Sequence, residues 1–268
     1  MLLLLRHAIL DEAMQKEGFV KAVGTVSDST SWLAWPGVPA VRGDSAIAAL
    51  LALQPGIDSA TVMLTPSRLV LSPDTTMVLD YGVAFWDNQA TNRRRLGRYL
   101  MAWRREPTGW VMEAFTVVNL LDPREVVSPP TDPISTRSGF EATGPAGDFL
   151  AADRAFADSM ATGRFSSAFR FWAAPDAVTF ASSGIESRGP DEVADAVSRM
   201  DGSGWAMHPL AVGAADDGSV GWTLGEGALQ VNRVAGLPQL VRLKYMTLWQ
   251  RQPDGTIRFV AMGTSPMP

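Results

Sequence analysis

Two acids stand inside apolar runs. "MVLDYGVAF" carries Asp80 followed by Tyr81, and "GWVMEAF" carries Glu113. A carboxylate beside a phenol, shielded from water, is material for general acid–base chemistry, because burial raises a carboxyl pKa toward a usable range. Asp80, with Tyr81 and the nearby Tyr99, is therefore one candidate base-and-donor set. By strand alternation Asp80 could equally face solvent. Glu113 has Phe259 as its counterpart in the second half of the chain, an asymmetry that reads as function or as a strand position facing another domain. His208, which follows Trp205 and Met207 and precedes Pro209, is the third catalytic candidate.

Other chemistries are excluded or unsupported. Cysteine is absent, which removes thiolate metal sites, disulfides and thiol nucleophiles. The two histidines, His7 and His208, lie in different halves and show no H-x3-H or H-E-x2-H spacing, so no metal and no cofactor are expected. No G-x-S-x-G elbow occurs, and "GWTLGEG" lacks the strand–turn–helix setting of a phosphate loop. The net charge is −5, which provides no basic field for nucleic acid or an anionic membrane. The one strong charge cluster, "NRRRLGR" (Asn92–Arg98) with Arg104 and Arg105, reads as a solvated strand edge or as a surface for an anionic ligand or acidic partner.

The opening "MLLLLRHAILDEAMQ" is too short in its apolar part to span a membrane and lacks the basic start and small-residue cleavage site of a signal peptide. It reads as the apolar start of a first helix, and cytoplasm is favoured. The alternative is the tail of a longer signal sequence, which would place the protein in the periplasm or outside the cell.

The elements that must position these residues come in two copies. "YLMAWRREPTGW" from Tyr99 and "YMTLWQRQPDGT" from Tyr245 share Tyr, Trp, Arg, Pro and Gly at a displacement of 146 residues. "GFVKAV" (Gly18–Val23) parallels "RFSSAF" (Arg164–Phe169), and "RGDSAIAALL" (Arg42–Leu51) parallels "RGPDEVADAV" (Arg188–Val197). Thr65–Gly82 parallels His208–Gly225 at a displacement of 143. So long a repeat means two domains rather than a solenoid. The expected division is a unit over 1–121, a Pro-rich linker over 122–147 containing five prolines, and a second unit over 148–268.

Each unit starts helical. Phe149, Ala152, Phe156 and Met160 share a helix face, as do Leu5, Ile9, Ala13 and Met14. Asp44 reads as the cap of a further helix. Strands follow, broken at Ser72-Pro73-Asp74 and at the Pro107–Gly109 and Pro253–Gly255 turns. Helices first and an antiparallel meander last give an α+β unit. Tyr99, Met101 and Trp103 share one strand face, as do Tyr245 and Trp249. Together with Tyr81 they are either a packed aromatic core or the wall of an apolar pocket.

The Y-x3-W-x-R-x-P-x-G pattern, the R-G helix start, Pro66 and Pro209, and the strand ends "DYG" and "TLG" resemble the nuclear transport factor 2-like superfamily, in particular its SnoaL-like and domain-of-unknown-function 4440 branches. The resemblance implies cone-shaped units, helices cradled by a strongly bent antiparallel sheet, and a bacterial source. Members pair through their sheets, so a tandem chain is expected to form a pseudo-dimer within itself, with a further homo-oligomer left open. The ketosteroid isomerases of that superfamily carry a Tyr on the first helix; the ring residues here are Phe19, Phe156 and Phe165. The superfamily mixes catalysts with binding modules, so fold does not select chemistry. The preferred reading is a protein that binds a small apolar or aromatic molecule in one or both units. The alternatives are a cofactor-free isomerase, cyclase, dehydratase or lyase, and an oligomerisation scaffold.

Overall fold

The computed structural model describes residues 2–54, 56–57, 60–88, 92–118, 141–180, 186–231 and 239–267, with the side chains of 2–9, 231 and 239 excepted. The first unit runs α1 (Leu2–Glu17), α2 (Phe19–Val26), β1 (Trp32–Ala34), β2 (Val41–Arg42), α3 (Asp44–Ala52), β3 (Ala60–Leu71), β4 (Met77–Asn88), β5 (Arg93–Glu106) and β6 (Gly109–Val118). The second repeats this order: α4 (Gly144–Ala161), α5 (Phe165–Trp172), β7 (Ala173–Phe180), β8 (Glu186–Arg188), α6 (Gly189–Val197), β9 (Gly204–Ala214), β10 (Val220–Val231), β11 (Gln239–Arg251) and β12 (Ile257–Pro266). Most of the expected linker, 122–140, lies outside the described residues, and α4 begins within its last part.

Both units are mixed α+β with a six-stranded sheet. The strand orders are β2-β1-β6-β5-β4-β3 and β8-β7-β12-β11-β10-β9. The sequence pattern places all helices before the strands. The structure instead inserts a short pair, β1–β2 or β7–β8, ahead of the third helix. In the first unit these strands are only two or three residues long, too short to show a period. Asp44 lies in the first turn of α3, and the capping position is Gly43.

Strand β4 is buried at nearly every position, which requires both faces of its sheet to be covered. Its side chains divide with period two. Val78, Ala84 and Trp86 join the first unit's helix-side core with Tyr99, Met101, Trp103 and Phe115. Met77, Leu79 and Tyr81, with Leu100 and Ala102 of β5, join the apolar cluster that continues through the second unit. The outer faces of the two sheets thus meet, and helices cover the inner faces.

The contact between units is reciprocal. In the turn after β3, Asp74 Oδ2 accepts from the Asp217 N–H at 2.7 Å, and in the matching turn Asp217 Oδ2 accepts from the Asp74 N–H at 3.1 Å. That is the pattern of an isologous interface, here made by two halves of one chain. The β5 and β11 counterparts Arg98 and Lys244 also cross over. Arg98 Nε donates to Glu186 Oε2 at 3.0 Å, and Lys244 Nζ donates to the carbonyls of Trp35 and Val38. Burial holds the Lys244 ammonium well below its ordinary pKa, to about 7, with Glu226 opposing. Among the described residues no helix is long and apolar enough to cross a membrane.

Candidate functional site

Each unit buries a carboxyl–tyrosine pair in its core. In the first, Tyr99 on β5 donates its O–H to Asp80 Oδ1 on β4 at 2.8 Å, and both residues are fully buried. Asp80 therefore faces inward. Burial, and then the neighbouring Asp80, push the Tyr99 phenol far above its ordinary pKa, so it stays a donor.

In the second unit the tyrosine is kept and the carboxyl moves. Tyr245 donates to Asp153 Oδ2 at 2.7 Å, and Thr223 Oγ1 donates to Asp153 Oδ1 at 2.9 Å. Trp249 Nε1 donates to Thr223 Oγ1 at 2.9 Å and completes the chain. Asp153 is on α4, and Thr223 takes the β10 position that Asp80 holds on β4. The α1 position matching Asp153 by the repeat is His7, whose side chain lies outside the described residues. Burial pushes the Asp153 carboxyl up to about 6, opposed by its hydrogen bonds to Tyr245 and Thr223 and by Arg154. Asp153 is absent from the sequence-based candidates, although its spacing from Phe149 and Phe156 puts it within an apolar helix stripe.

A glycine lies opposite each tyrosine, Gly82 against Tyr99 and Gly225 against Tyr245. A Cβ on Gly225 would come within 2.4 Å of the Tyr245 hydroxyl and 2.5 Å of the His208 carbonyl oxygen. The bare backbone leaves the phenol room to lie across the strand and reach α4. Gly225→Ala is expected to destabilise the fold by about 1–3 kcal/mol through overpacking. An unchanged urea midpoint would show that the phenol does not need this space.

A cavity adjoins the second pair and is a separate feature; another, of about 420 Å³, lies by Asp148, Trp172 and Arg251. The first has a volume of about 660 Å³, and its apolar lining includes Phe169, Trp205, Leu229, Leu243 and Met262. Thr179, Ser187 and Thr264 supply hydroxyls. Glu192, Asp195 and Arg199, from α6 and the 3₁₀ turn after it, are the charged lining residues and are all solvent-exposed. Thr264 is the register partner of Tyr245 on the neighbouring strand, so the Asp153–Tyr245 pair stands directly beside the lining. Neither Asp153 nor Tyr245 is part of that lining.

The sequence-based candidates do not converge on one site. Asp80 and Tyr99 meet. Tyr81 is on the outer face of β4, where its ring lies 6.0 Å from Phe180 of the other unit. Glu113 also faces the other unit and accepts from Trp222 Nε1 at 2.9 Å. Burial raises its carboxyl pKa, while Trp222 and Arg104 lower it. Its partner by strand register is Val260, not Phe259. Trp103 pairs with Met112 and Trp249 with Phe259, because the second hairpin turn is one residue longer. His208 is exposed on edge strand β9. Met101, Trp103 and Trp249 are enclosed in the two cores, and none of the six proposed pocket residues lines the described cavity. Among the described residues, no cluster of three His, Asp or Glu side chains could hold a metal ion.

No family model matches the chain, and no curated protein matches it. Solved structures resemble it in halves. A ketosteroid isomerase-like protein from Erwinia carotovora atroseptica is 16% identical, covers 47% of this chain and 98% of its own, and superposes with a TM-score of 0.42. A CaMKII hub from S. rosetta is 18% identical over 47% of this chain and 98% of its own, with a TM-score of 0.38. A nuclear transport factor 2-like superfamily protein from Salmonella enterica is 14% identical over 46% of this chain and 92% of its own, with a TM-score of 0.40.

Proposed function

We propose that this chain is a small-molecule-binding protein whose competent site is the cavity of the second unit, and that the first unit acts as its covalently attached structural partner. The observation that carries this reading is a half-open cavity of about 660 Å³ whose described lining is mainly aromatic and aliphatic side chains, with a few hydroxyls and with its charged residues Glu192, Asp195 and Arg199 solvent-exposed. That size and polarity suit an apolar molecule of two or three rings. The outer face of the second sheet is covered by the first unit, which supports a role for that unit in holding β11 and β12, two walls of the cavity.

Proton-transfer catalysis by Asp80, Glu113 or His208 has weaker support. Asp80 is enclosed at 0% exposure, Glu113 is committed to Trp222, and His208 faces solvent. The Asp153–Tyr245–Thr223 network serves better as a polar pin that fixes α4 to the sheet, and Asp80–Tyr99 as a tie between β4 and β5, because a hydrogen-bonded buried network specifies one packing.

The test is titration with neutral polycyclic aromatics, read by quenching of tryptophan fluorescence and by native mass. One molecule should bind per chain, and Leu229→Trp, which projects an indole into the cavity, should weaken binding at least about tenfold while the protein stays folded. Unchanged affinity in the folded variant would move the site elsewhere. Absence of saturable binding to the native protein would sink the reading.

A further inference from the structure

One turn of the first unit is tied to two walls of the second unit's cavity. The turn is Trp35–Val38, between β1 and β2, and all four of its residues are buried. Pro36 and Gly37 form its centre, and Gly37 has a φ of 76°, the left-handed value for which such a turn favours glycine. The Trp35 ring anchors the turn in the first core, with its centroid 5.8 Å from that of Phe19 and 6.3 Å from that of Trp86. The turn's backbone serves the other unit. The Trp35 and Val38 carbonyls accept from Lys244 Nζ on β11, and the Gly37 N–H donates to the Pro266 carbonyl on β12 at 3.3 Å.

These contacts fall where the cavity wall ends. Leu243 and Pro266 both line the cavity, and they are the last register pair of the β11–β12 ladder. Lys244 follows Leu243, so by strand alternation its side chain leaves the opposite face of the sheet, toward the first unit. The end of a ladder opens more readily than its middle. Lys244 is 1% exposed, and its ammonium is a buried cation held by two carbonyls. Such a contact tolerates little slack, because each lost hydrogen bond leaves a desolvated charge unpaired. The first unit thereby sets where Leu243 and Pro266 stand.

On the reading that this cavity is the binding site, we infer that the Trp35–Val38 turn regulates its affinity, with Lys244 as the positioning residue that holds the Leu243–Pro266 end of the wall in its binding arrangement. Lys244 is not part of the cavity lining and acts through Leu243. The two states are a wall end held against the turn and a wall end frayed from it. Coupling between binding equilibria is reciprocal, so an occupant that prefers the held wall also tightens the turn.

Fluorene, a neutral tricyclic hydrocarbon, is the probe. In the native protein, saturating fluorene should slow hydrogen exchange across residues 32–41 at least about fivefold, read by mass spectrometry. Exchange across Ser72–Met77, whose Asp74 makes a different contact between the units, should not change. Lys244→Met keeps an apolar stem and removes the donors. Its fluorene affinity should fall about tenfold while the protein stays folded, and fluorene should no longer slow exchange at the turn. Asp217→Ala removes the carboxylate contact to Asp74 and should keep fluorene affinity within about twofold.

Unchanged affinity in folded Lys244→Met would overturn the role of Lys244. Turn exchange that is the same with and without bound fluorene would overturn the coupling in the native protein, and it decides the matter should Lys244→Met fail to fold. An equal loss of affinity in Asp217→Ala would overturn it too, by showing that any loosening between the units weakens binding. If fluorene does not bind the native protein at all, the cavity reading falls and takes this inference with it, an outcome distinct from binding without coupling.

Discussion

Trp249→Ala and Trp103→Ala are each expected to cost about 3–5 kcal/mol of stability, the usual cost of deleting a buried indole from a core. Trp249 is fully buried and lies edge-on to Phe156, Trp172 and Phe259, with ring centroids 6.1, 6.1 and 6.2 Å away. Its deletion also removes the donor to Thr223, which loosens the chain leading to Asp153. Trp103 has the matching place in the first core, at 1% exposure. Urea unfolding followed by circular dichroism measures both. The sequence pattern allows these rings to be pocket walls, and the two roles separate cleanly. A wall residue would lose ligand affinity with a stability change below about 1 kcal/mol. That result for either variant would restore the wall reading for its unit. If the cost is as large as expected, the units should lose stability together, because one apolar cluster runs from the outer face of the first sheet into the second core.

How legible the molecule is from its sequence depends on what each feature requires. The Tyr–x3–Trp repeat reveals the duplication because both residues must face the same core in both units. Strand alternation then correctly groups Tyr99, Met101 and Trp103. It puts Asp80 and Tyr81 on opposite faces of β4 but cannot say which of them faces the helices, because both faces are buried, one by helices and the other by the second unit. Uniform burial erases the polar–apolar contrast that alternation depends on. Glu113 illustrates a second limit. Its contrast with Phe259 rests on a constant displacement, and one extra residue in the second hairpin turn shifts the true partner to Val260. Asp153 was readable by helical spacing, but an acid in an apolar stripe signals a buried partner only once Tyr245 and Thr223 are known to lie across from it. The cavity leaves no such trace. It is the space left between α6, β11 and β12, and no motif encodes a gap.

Asp153 should also mark itself in the pH dependence of stability. Its carboxyl titrates near 6 in the folded chain and near 3.8 when unfolded. Because the folded value is the higher one, the protonated pair is fully stabilising below pH 3.8, and that contribution is lost as pH rises through about 6. The shift corresponds to a loss on the order of 3 kcal/mol. Other groups act in the opposite sense. Asp28, Asp74, Asp201 and Asp254 have depressed values, and their contributions fail as pH falls. Lys244, depressed to about 7, gains stability for the fold as pH rises above that value. The bare pH profile therefore mixes signs, and the difference between the native chain and Asp153→Asn isolates the term. Asparagine keeps the shape and an acceptor oxygen but cannot ionise. Relative to this variant, the native chain should be about 3 kcal/mol more stable at pH 3.5 than at pH 7.5, as read from urea midpoints at both. A native-minus-variant difference that is the same at both pH values would mean that Asp153 ionises without penalty, which its full burial against Tyr245 and Thr223 does not allow.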